Sequence, residues 1–532
     1  MSATYKAYAD RMGATAATDY IGRPGDIFWD QANGALRVSD GATAGGTLIG
    51  GGGGATTWAA ITDINNAAGP TLIAVGNLAG NTSQGGYAVA VGNLAGQTTQ
   101  GMSAVAIGIE AGRTNQGTKA VAIGDAAAKT TQGTYAVAIG NLAGNTTQSS
   151  YAVAVGESAG ETTQGEYAVA IGSSAGETTQ GDWAVAIGNV AGQTNQGDDT
   201  VAIGLSAGML NQGDYAVAIG EDAGRTTQGE EAVAIGDSAG STTQGAESVA
   251  IGYNAANTTQ GTKAVAVGYW AGKTTQGTKA IAIGRQAGET TQGANAVAIG
   301  VYAGRTTQGG SSIAIGNDAG KTTQATQAVA VGNLAGNTTQ GASSIAIGLS
   351  AGQTTQGANS VAVGASAGQT TQSGYSVAVG KSAGNDTQGT GSVAIGNSAG
   401  QTTQSGYAVA VGNAAGTTSQ GTGSVAIGNS AGTTSQGANS IAIGSAAGTT
   451  SQGANSIVIN ATGSAVENTT ASSLVVKPVR SAAMTTILGY DAGTGEVTHN
   501  AAIPGYTNTA DLKTLVANSA TFADFKTLIA AL

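Results

Sequence analysis

Ser392-Val393-Ala394-Ile395-Gly396-Asn397-Ser398-Ala399-Gly400-Gln401-Thr402-Thr403-Gln404-Ser405-Gly406-Tyr407 is one period of a pattern that fills the middle of the chain. Its Val/Ile-Ala-Val/Ile-Gly element recurs every sixteen residues, with the glycine at Gly76, Gly92, Gly108 and onward to Gly444, twenty-four times without insertion or deletion. A further copy, Ser456-Ile457-Val458-Ile459-Asn460, ends the series with asparagine in the glycine's place. Counting that glycine as place zero, three places never vary. Alanine stands at plus three (Ala79 through Ala447), glutamine at plus eight (Gln84 through Gln452) and alanine at minus two (Ala74 through Ala442). Places plus one, two, five, ten and eleven vary, hold nearly all the charges and aromatics, and are expected to point outward.

The β-branched, alanine, β-branched run alternates with a period of two, and the glycines beside it oppose a helix, so each repeat reads as a strand plus turns. One repeat cannot bury its own apolar side. Repeats stacked with strands about 4.8 Å apart can, which gives a parallel solenoid of about 24 coils and a rod of roughly 115 Å. The alanine between the two β-branched residues faces the opposite side of the strand from them. With Ala88, Ala104, Ser248 and Ser344 two places earlier, it forms a smooth methyl-coated strip. We expect that strip to pack against other copies of the chain, because long apolar patches on soluble monomers are rare. A monomeric solenoid with an inert alanine wall is the alternative. The glutamines are expected to bond amide to amide along the rod. A sugar-recognition row at that place is the functional alternative. Of the Thr-Thr pair beside them, as in an ice-binding array, only one residue per coil is expected to face outward, since neighbours on a strand alternate.

Composition narrows the classes further. Only 9% of the 532 residues are charged, against roughly 25% in a typical domain, while glycine supplies 90 and proline only 4. Collagen needs far more proline and a period of three. Disorder needs low hydrophobicity with high net charge, and here 41% of the residues are hydrophobic. The net charge of −11 opposes binding to nucleic acid. There is no cysteine, hence no disulfide and no thiolate chemistry. No secretory signal opens the chain and no 18-residue apolar run crosses a membrane, so no membrane insertion is expected and synthesis is expected in the cytoplasm.

The two ends differ from the middle. Asp26-Ile27-Phe28-Trp29-Asp30 and Ala35-Leu36-Arg37-Val38-Ser39 read as strands joined by the turn Gln31-Ala32-Asn33-Gly34. Gly51 to Gly54 read as a flexible joint. Beyond the repeats, helical patterns begin near Thr509 and Thr521. Leu512, Leu515 and Val516, with Phe522, Phe525, Leu528, Ile529 and Leu532, fall on single faces suited to core or trimer packing.

The unit Ser392-Val393-Ala394-Ile395-Gly396, repeated as Ser424-Val425-Ala426-Ile427-Gly428, resembles the head repeats of trimeric autotransporter adhesins of the YadA type. That resemblance implies a homotrimer of left-handed parallel β-rolls. Sixteen residues with TTQG is slightly longer than that family's usual unit, and a heptad stalk and C-terminal membrane strands are missing. The stretch from Gly22-Arg23-Pro24-Gly25 to Ser39-Asp40-Gly41 is similar to small β modules of tailed-phage structural proteins. Ser473-Leu474-Val475-Val476-Lys477-Pro478 with Leu488-Gly489-Tyr490-Asp491 resembles the segment that follows shafts in phage tail fibres. In many of those proteins it leads to a self-cleaving chaperone domain, which is expected here to be absent or already removed.

Chemistry finds little footing. Gly268-Tyr269-Trp270-Ala271-Gly272-Lys273-Thr274 and Gly316 to Thr322 mimic a phosphate loop but have three residues between their glycines where four are needed. His499 is the only histidine, which leaves no histidine metal cluster and no Ser-His-Asp triad. A depolymerising tailspike needs two carboxylates at a set separation, and Asp198, Asp199, Glu230 and Glu231 read as scattered outward positions. Tyr87, Tyr135, Tyr151, Tyr167, Trp183, Tyr215, Tyr375 and Tyr407 share place plus eleven, where aromatics either pack between turns or stack on sugars. No catalytic, cofactor or metal residue is assigned.

The sequence thus predicts an all-β chain: an N-terminal virion-attachment β module (1–50), a glycine-rich joint (51–72), a β-roll shaft (73–460), a post-shaft β segment (461–506) and a C-terminal helical segment (507–532), the last two forming a small α+β tip. The expected role is that of a trimeric bacteriophage fibre in the virion. It would be joined to a tail, neck or baseplate protein through its N-terminus and reach a host-surface glycan or protein without catalysis. A bacterial surface adhesin head, a polysaccharide-depolymerising tailspike and an ice-binding rod are the alternatives.

Overall fold

A computed structural model describes residues 72–479 throughout. It also describes the backbone of Ile27–Asp30, Ala35–Val38, Thr47–Leu48, Ile487–Tyr490 and Val497–Asn500, and the turn at 493–494. Within residues 72–479 the chain is a parallel β-solenoid whose regular elements are all strands. No helix among the described residues is long and apolar enough to cross a membrane.

Each coil carries two strands. The first is the β-branched, alanine, β-branched run, such as Val121–Ile123, and it lies in register on its equivalents one coil away: Val121 on Val137, Ala122 on Ala138, Ile123 on Ile139. The second is only Thr-Gln, such as Thr131–Gln132, paired with Thr147 and Gln148. The sequence reading found the first strand and not the second. Two residues are too short a run to show an alternation, and their signal was the unvarying glutamine. Every strand pairs only with the coils before and after, so the two ladders run open from Ile73–Val75 and Ser83–Gln84 to Leu474–Lys477 and Val466–Asn468.

The turns are bonded coil to coil as well. The amides at places plus four, six, nine and thirteen donate forward, as Thr130 to Asn145 (2.8 Å) and Val137 to Ala152 (2.8 Å) do. The amides at places zero, plus two and plus eleven donate backward, as Gly140 to Ile123, Leu142 to Asp125 and Tyr151 to Thr134 do. All three of these backward donors have positive φ. Leu142 has φ 59 and Tyr151 has φ 61. The left-handed conformation costs a residue with a Cβ about 1 kcal/mol or more, and the bond it makes possible offsets that. At place zero only glycine serves. Gly172 has φ 129, and a Cβ there would stand 2.4 Å from the carbonyl oxygen of Gly188.

The structure reverses the two sides of the first strand relative to the sequence reading. The alanine at minus two points into the coil, where Ala122, Ala138 and Ala282 have no exposed surface within a single chain. Alanine, serine or threonine four places before the glycine is likewise interior, and Ser248 and Ser344 bond their hydroxyls to Gly245 and Gly341. The methyl strip is therefore covered by its own chain, and neither packing against other copies nor an inert outer wall describes it. Val and Ile point outward instead. The reason is room. The two ladders are so close that a Cβ added at Gly96 would be 3.4 Å from the Ala90 methyl and 2.8 Å from the Gln100 amide oxygen. A glutamine and three small side chains fill each coil, and a β-branched residue would overpack it. Val458 takes the alanine's place only in the last copy, beside a shift in register of the neighbouring ladder between Ala447 and Gln452.

Outside the shaft, Ile27–Asp30 pairs antiparallel with Ala35–Val38, Ile27 opposite Val38 and Asp30 opposite Ala35, on the two stretches read as strands, and Thr47–Leu48 adds a third. Ile487–Tyr490 pairs antiparallel with Val497–Asn500, which puts His499 opposite Leu488. The joint at Gly51 to Gly54 and the helices expected after Thr509 lie outside the described residues.

Candidate interaction surfaces

The coil is flat, and its two strands and two turns give four surfaces. The interior fixes them. Gln132 donates its amide N–H to the carbonyls of Val121 (2.8 Å) and Ala136 (3.3 Å), and to the Gln148 amide oxygen (3.0 Å). The expected amide ladder is present. It runs without a break from Gln116 to Gln180, from Gln212 to Gln244 and from Gln260 to Gln420. Each described glutamine bonds its own first strand, and most also bond the carbonyl of the turn four residues on, so the row holds the coil's cross-section shut. Being buried, it is not a recognition surface.

The first surface is apolar. Val at minus three is half-buried, and the residue at minus one is more open, as in Ile107 at 38%, Ile283 at 39% and Ile427 at 40% exposure. Stacked coil on coil, these pairs make a continuous β-branched face along the rod. The opposite surface is threonine. Thr146 and Thr147 are both exposed, as are Thr322 and Thr323, and this corrects the expectation of one outward threonine per coil. Only the second threonine lies in the strand and the first is in the bend before it, so strand alternation does not relate them.

The remaining two surfaces are the turn edges, and they carry the variable residues. On the edge at plus ten and eleven, Tyr135, Tyr151, Tyr167 and Trp183 stack ring on ring with centroids 5.2, 4.8 and 4.1 Å apart. These rings use their faces on one another, which is packing between turns. The Lys119 ammonium caps the stack, 5.0 Å from the Tyr135 centroid, and its hydrogen bond to the Tyr135 hydroxyl holds its pKa above the usual lysine value. The carboxylates read as scattered are collected by the coil into rows on this edge. Glu166, Asp182, Asp198, Asp214 and Glu230 share one place, with Asp199 and Glu231 beside them. Asp182, Asp198 and Asp214 each accept the backbone N–H one coil back, at 2.7, 2.9 and 3.0 Å.

The edge at plus one, two and five carries most of the cations. Lys273 sits 3.7 Å over the Trp270 ring, and Arg285, Arg305 and Lys321 surround Tyr302 at 4.7, 5.1 and 5.3 Å. The lysines of the two phosphate-loop mimics are thus on aromatic rings, and Lys321 also pairs with Asp318 at 2.8 Å. Near the start of the shaft Glu110 joins Lys129 (2.7 Å) and Arg113 (2.8 Å), and the Lys129 hydrogen bond leads in lowering its pKa.

The last coil is a cap. Asn460, where glycine stood, is buried and donates to the carbonyls of Ser445 (2.6 Å) and Ser464 (2.7 Å), while Asn468 replaces glutamine at the end of the inner row. Burial pushes the Glu467 carboxyl up, but its hydrogen bonds from Thr449 and from the amides of Thr450 and Ser451 outweigh that and leave its pKa lowered. No group of three His, Cys, Asp or Glu side chains among the described residues is placed to hold a metal ion. No family model matches the chain, and no curated protein matches it.

Proposed function

We propose that this chain is the fibre of a tailed-phage virion, a homotrimer whose long shaft presents its turn edges to the host surface and works without catalysis. The observation that carries the assembly is the Val/Ile face. Two β-branched side chains per coil, half open to solvent along a rod of roughly 115 Å, make an apolar strip far larger than monomeric surfaces leave uncovered. Three such faces turned inward would form a dry axis and leave threonine and the two variable edges outside. The number three and the phage setting rest on the resemblance of Ser392-Val393-Ala394-Ile395-Gly396 and of the chain ends to adhesin and fibre segments. Reach comes from coil number, and three copies multiply weak edge contacts through avidity. Attachment to a tail, neck or baseplate protein through residues 1–50 belongs to the same proposal.

Light scattering of the full chain tests it, with three times the 50.8-kDa chain mass expected. Replacing Ile283, Ile299 and Ile315 by Glu places charges in the strip and is expected to release single chains. A wild-type mass of one chain would overturn the assembly. Failure of the purified rod to compete with virions for host cells would overturn the role. Exposure of both threonines in many coils, as at Thr146-Thr147 and Thr322-Thr323, favours a second reading, the ice-binding rod, for which growing ice crystals must be reshaped by the protein.

A further inference from the structure

The aromatic stack on the plus-eleven edge has a counterpart later in the shaft with a ring left out. Tyr375 and Tyr407 occupy the same place as Tyr151, two coils apart, and the coil between them carries Gly391. They are the most exposed aromatic side chains among the described residues, at 69% and 71%. Neither has an aromatic or cationic partner, whereas Tyr151 lies between Tyr135 and Tyr167 at 5.2 and 4.8 Å. The Tyr407 ring leans toward the glycine: a Cβ built on Gly391 would stand 3.1 Å from its Cδ1 and Cε1. Gly391 itself has φ 64, close to the φ 60 of Tyr375 and φ 58 of Tyr407, so the backbone runs through all three coils unchanged and only the side chain is missing. Two coils span about 9.6 Å, part of which the Tyr407 ring takes up by leaning toward Gly391, and swinging it back to the upright stacking position of Tyr151 opens the space of one flat ring between the tyrosines.

We infer that this vacancy between Tyr375 and Tyr407 is a binding slot for one pyranose ring of a neutral glycan, held by its C–H faces against the two tyrosines. The inference rests on the reading of the rod as a surface-binding fibre and names where on it a sugar sits. Neutrality follows from the surroundings: from Gly332 to Gly444 the only charged residues are Lys381 and Asp386. Thr390, the neighbour of Gly391, is exposed and makes no side-chain hydrogen bond, which leaves its hydroxyl for a sugar hydroxyl. In the earlier stack Tyr151 and Tyr167 have both faces taken by neighbouring rings, and farther along the same edge the side chain of Asp199 stands between Trp183 and Tyr215.

The full chain is titrated with two probes, the β-1,4-linked hexamers of glucose and of N-acetylglucosamine, and ring-proton saturation transfer is read by NMR. Transfer is expected from at least one hexamer. Tyr375→Ala with Tyr407→Ala should weaken binding at least about tenfold. Tyr151→Ala should leave it unchanged. Gly391→Tyr should abolish it by supplying the missing ring, and because place plus eleven accepts tyrosine in neighbouring coils this variant is expected to fold. Absence of transfer from both hexamers, or equal transfer in wild type and Gly391→Tyr, would overturn the slot. Light scattering of the same samples reads the assembly separately, so a trimer that binds neither hexamer sinks the slot and leaves the fibre standing.

Discussion

The coils from Gly124 to Gly188 and those from Gly364 to Gly428 share their interior except four places before the glycine, where the first set has alanine and the second mostly serine, and have opposite edges. Inside, both carry alanine at plus three and minus two and glutamine at plus eight, with the same amide bonds; Gln164 to Val153 is 2.8 Å and Gln404 to Val393 is 2.7 Å. Outside, the first set fills place plus eleven with a continuous aromatic stack, and the second alternates tyrosine with glycine. A solenoid of fixed coil length leaves its walls no freedom and its turns a great deal. Variation along this rod is therefore concentrated on the turn edges.

The comparison breaks most severely at the glycine of place zero. Gly172→Ala and Gly396→Ala each force a methyl against a carbonyl oxygen 2.4 Å away, at φ 129 and φ 128. Each is expected to cost roughly 3 kcal/mol or more, equally in the two sets, read as loss of hydrogen-exchange protection in the adjoining coils. Gln164→Leu and Gln404→Leu come next. They remove the side-chain amide donor from the carbonyls of Val153 and Val393 and interrupt the amide row, at about 2 kcal/mol each by the same readout. A large difference between the paired sites would show that the interiors are not equivalent.

Tyrosine separates the sets. Tyr151→Ala removes two ring contacts and is expected to cost about 1 kcal/mol, while Tyr375→Ala removes none and should be close to neutral, measured as the shift in the thermal midpoint. The smallest effect lies at the cap. A carboxyl with a lowered pKa in the folded chain binds its proton more readily when unfolded. The stability due to Glu467 is thus present above the ordinary glutamate value near 4.3 and fades as the pH falls below it. Protection of the Thr450 and Ser451 amides, taken relative to the intrinsic exchange rate at each pH, should fall below about pH 4 in the wild type and stay level across that range in Glu467→Gln.

Much of the fold was legible. The uninterrupted period gave the coil, alternation gave the first strand, and the unvarying glutamine gave the amide row. Less was legible of which side of the strand is inner. Apolar bulk argued for Val and Ile inside, following the usual preference for burying the largest hydrophobic residues. The contrary signal was present in the repeats themselves: Ala106, Ala122 and their equivalents never change, whereas the flanking places exchange valine for isoleucine freely, as Val155 and Ile171 do. A place that tolerates an added methylene is not the tight one. The slot at Gly391 was hidden for a different reason. The period puts Gly391 at place plus eleven between Tyr375 and Tyr407, but that rings at this place stack face to face, so that a glycine there leaves a ring out, is visible only with the coils in register.

By itself, the amino-acid sequence determined the repeat length, the parallel stacking and the residues that vary, because a sixteen-residue period without gaps admits one coil per repeat. Only the tertiary structure decided what lies within each coil. Inside or outside is a question of the distance between the two strand ladders, and that distance is set when the backbone bonds of the turns close, leaving room for methyls and one amide but not for a valine.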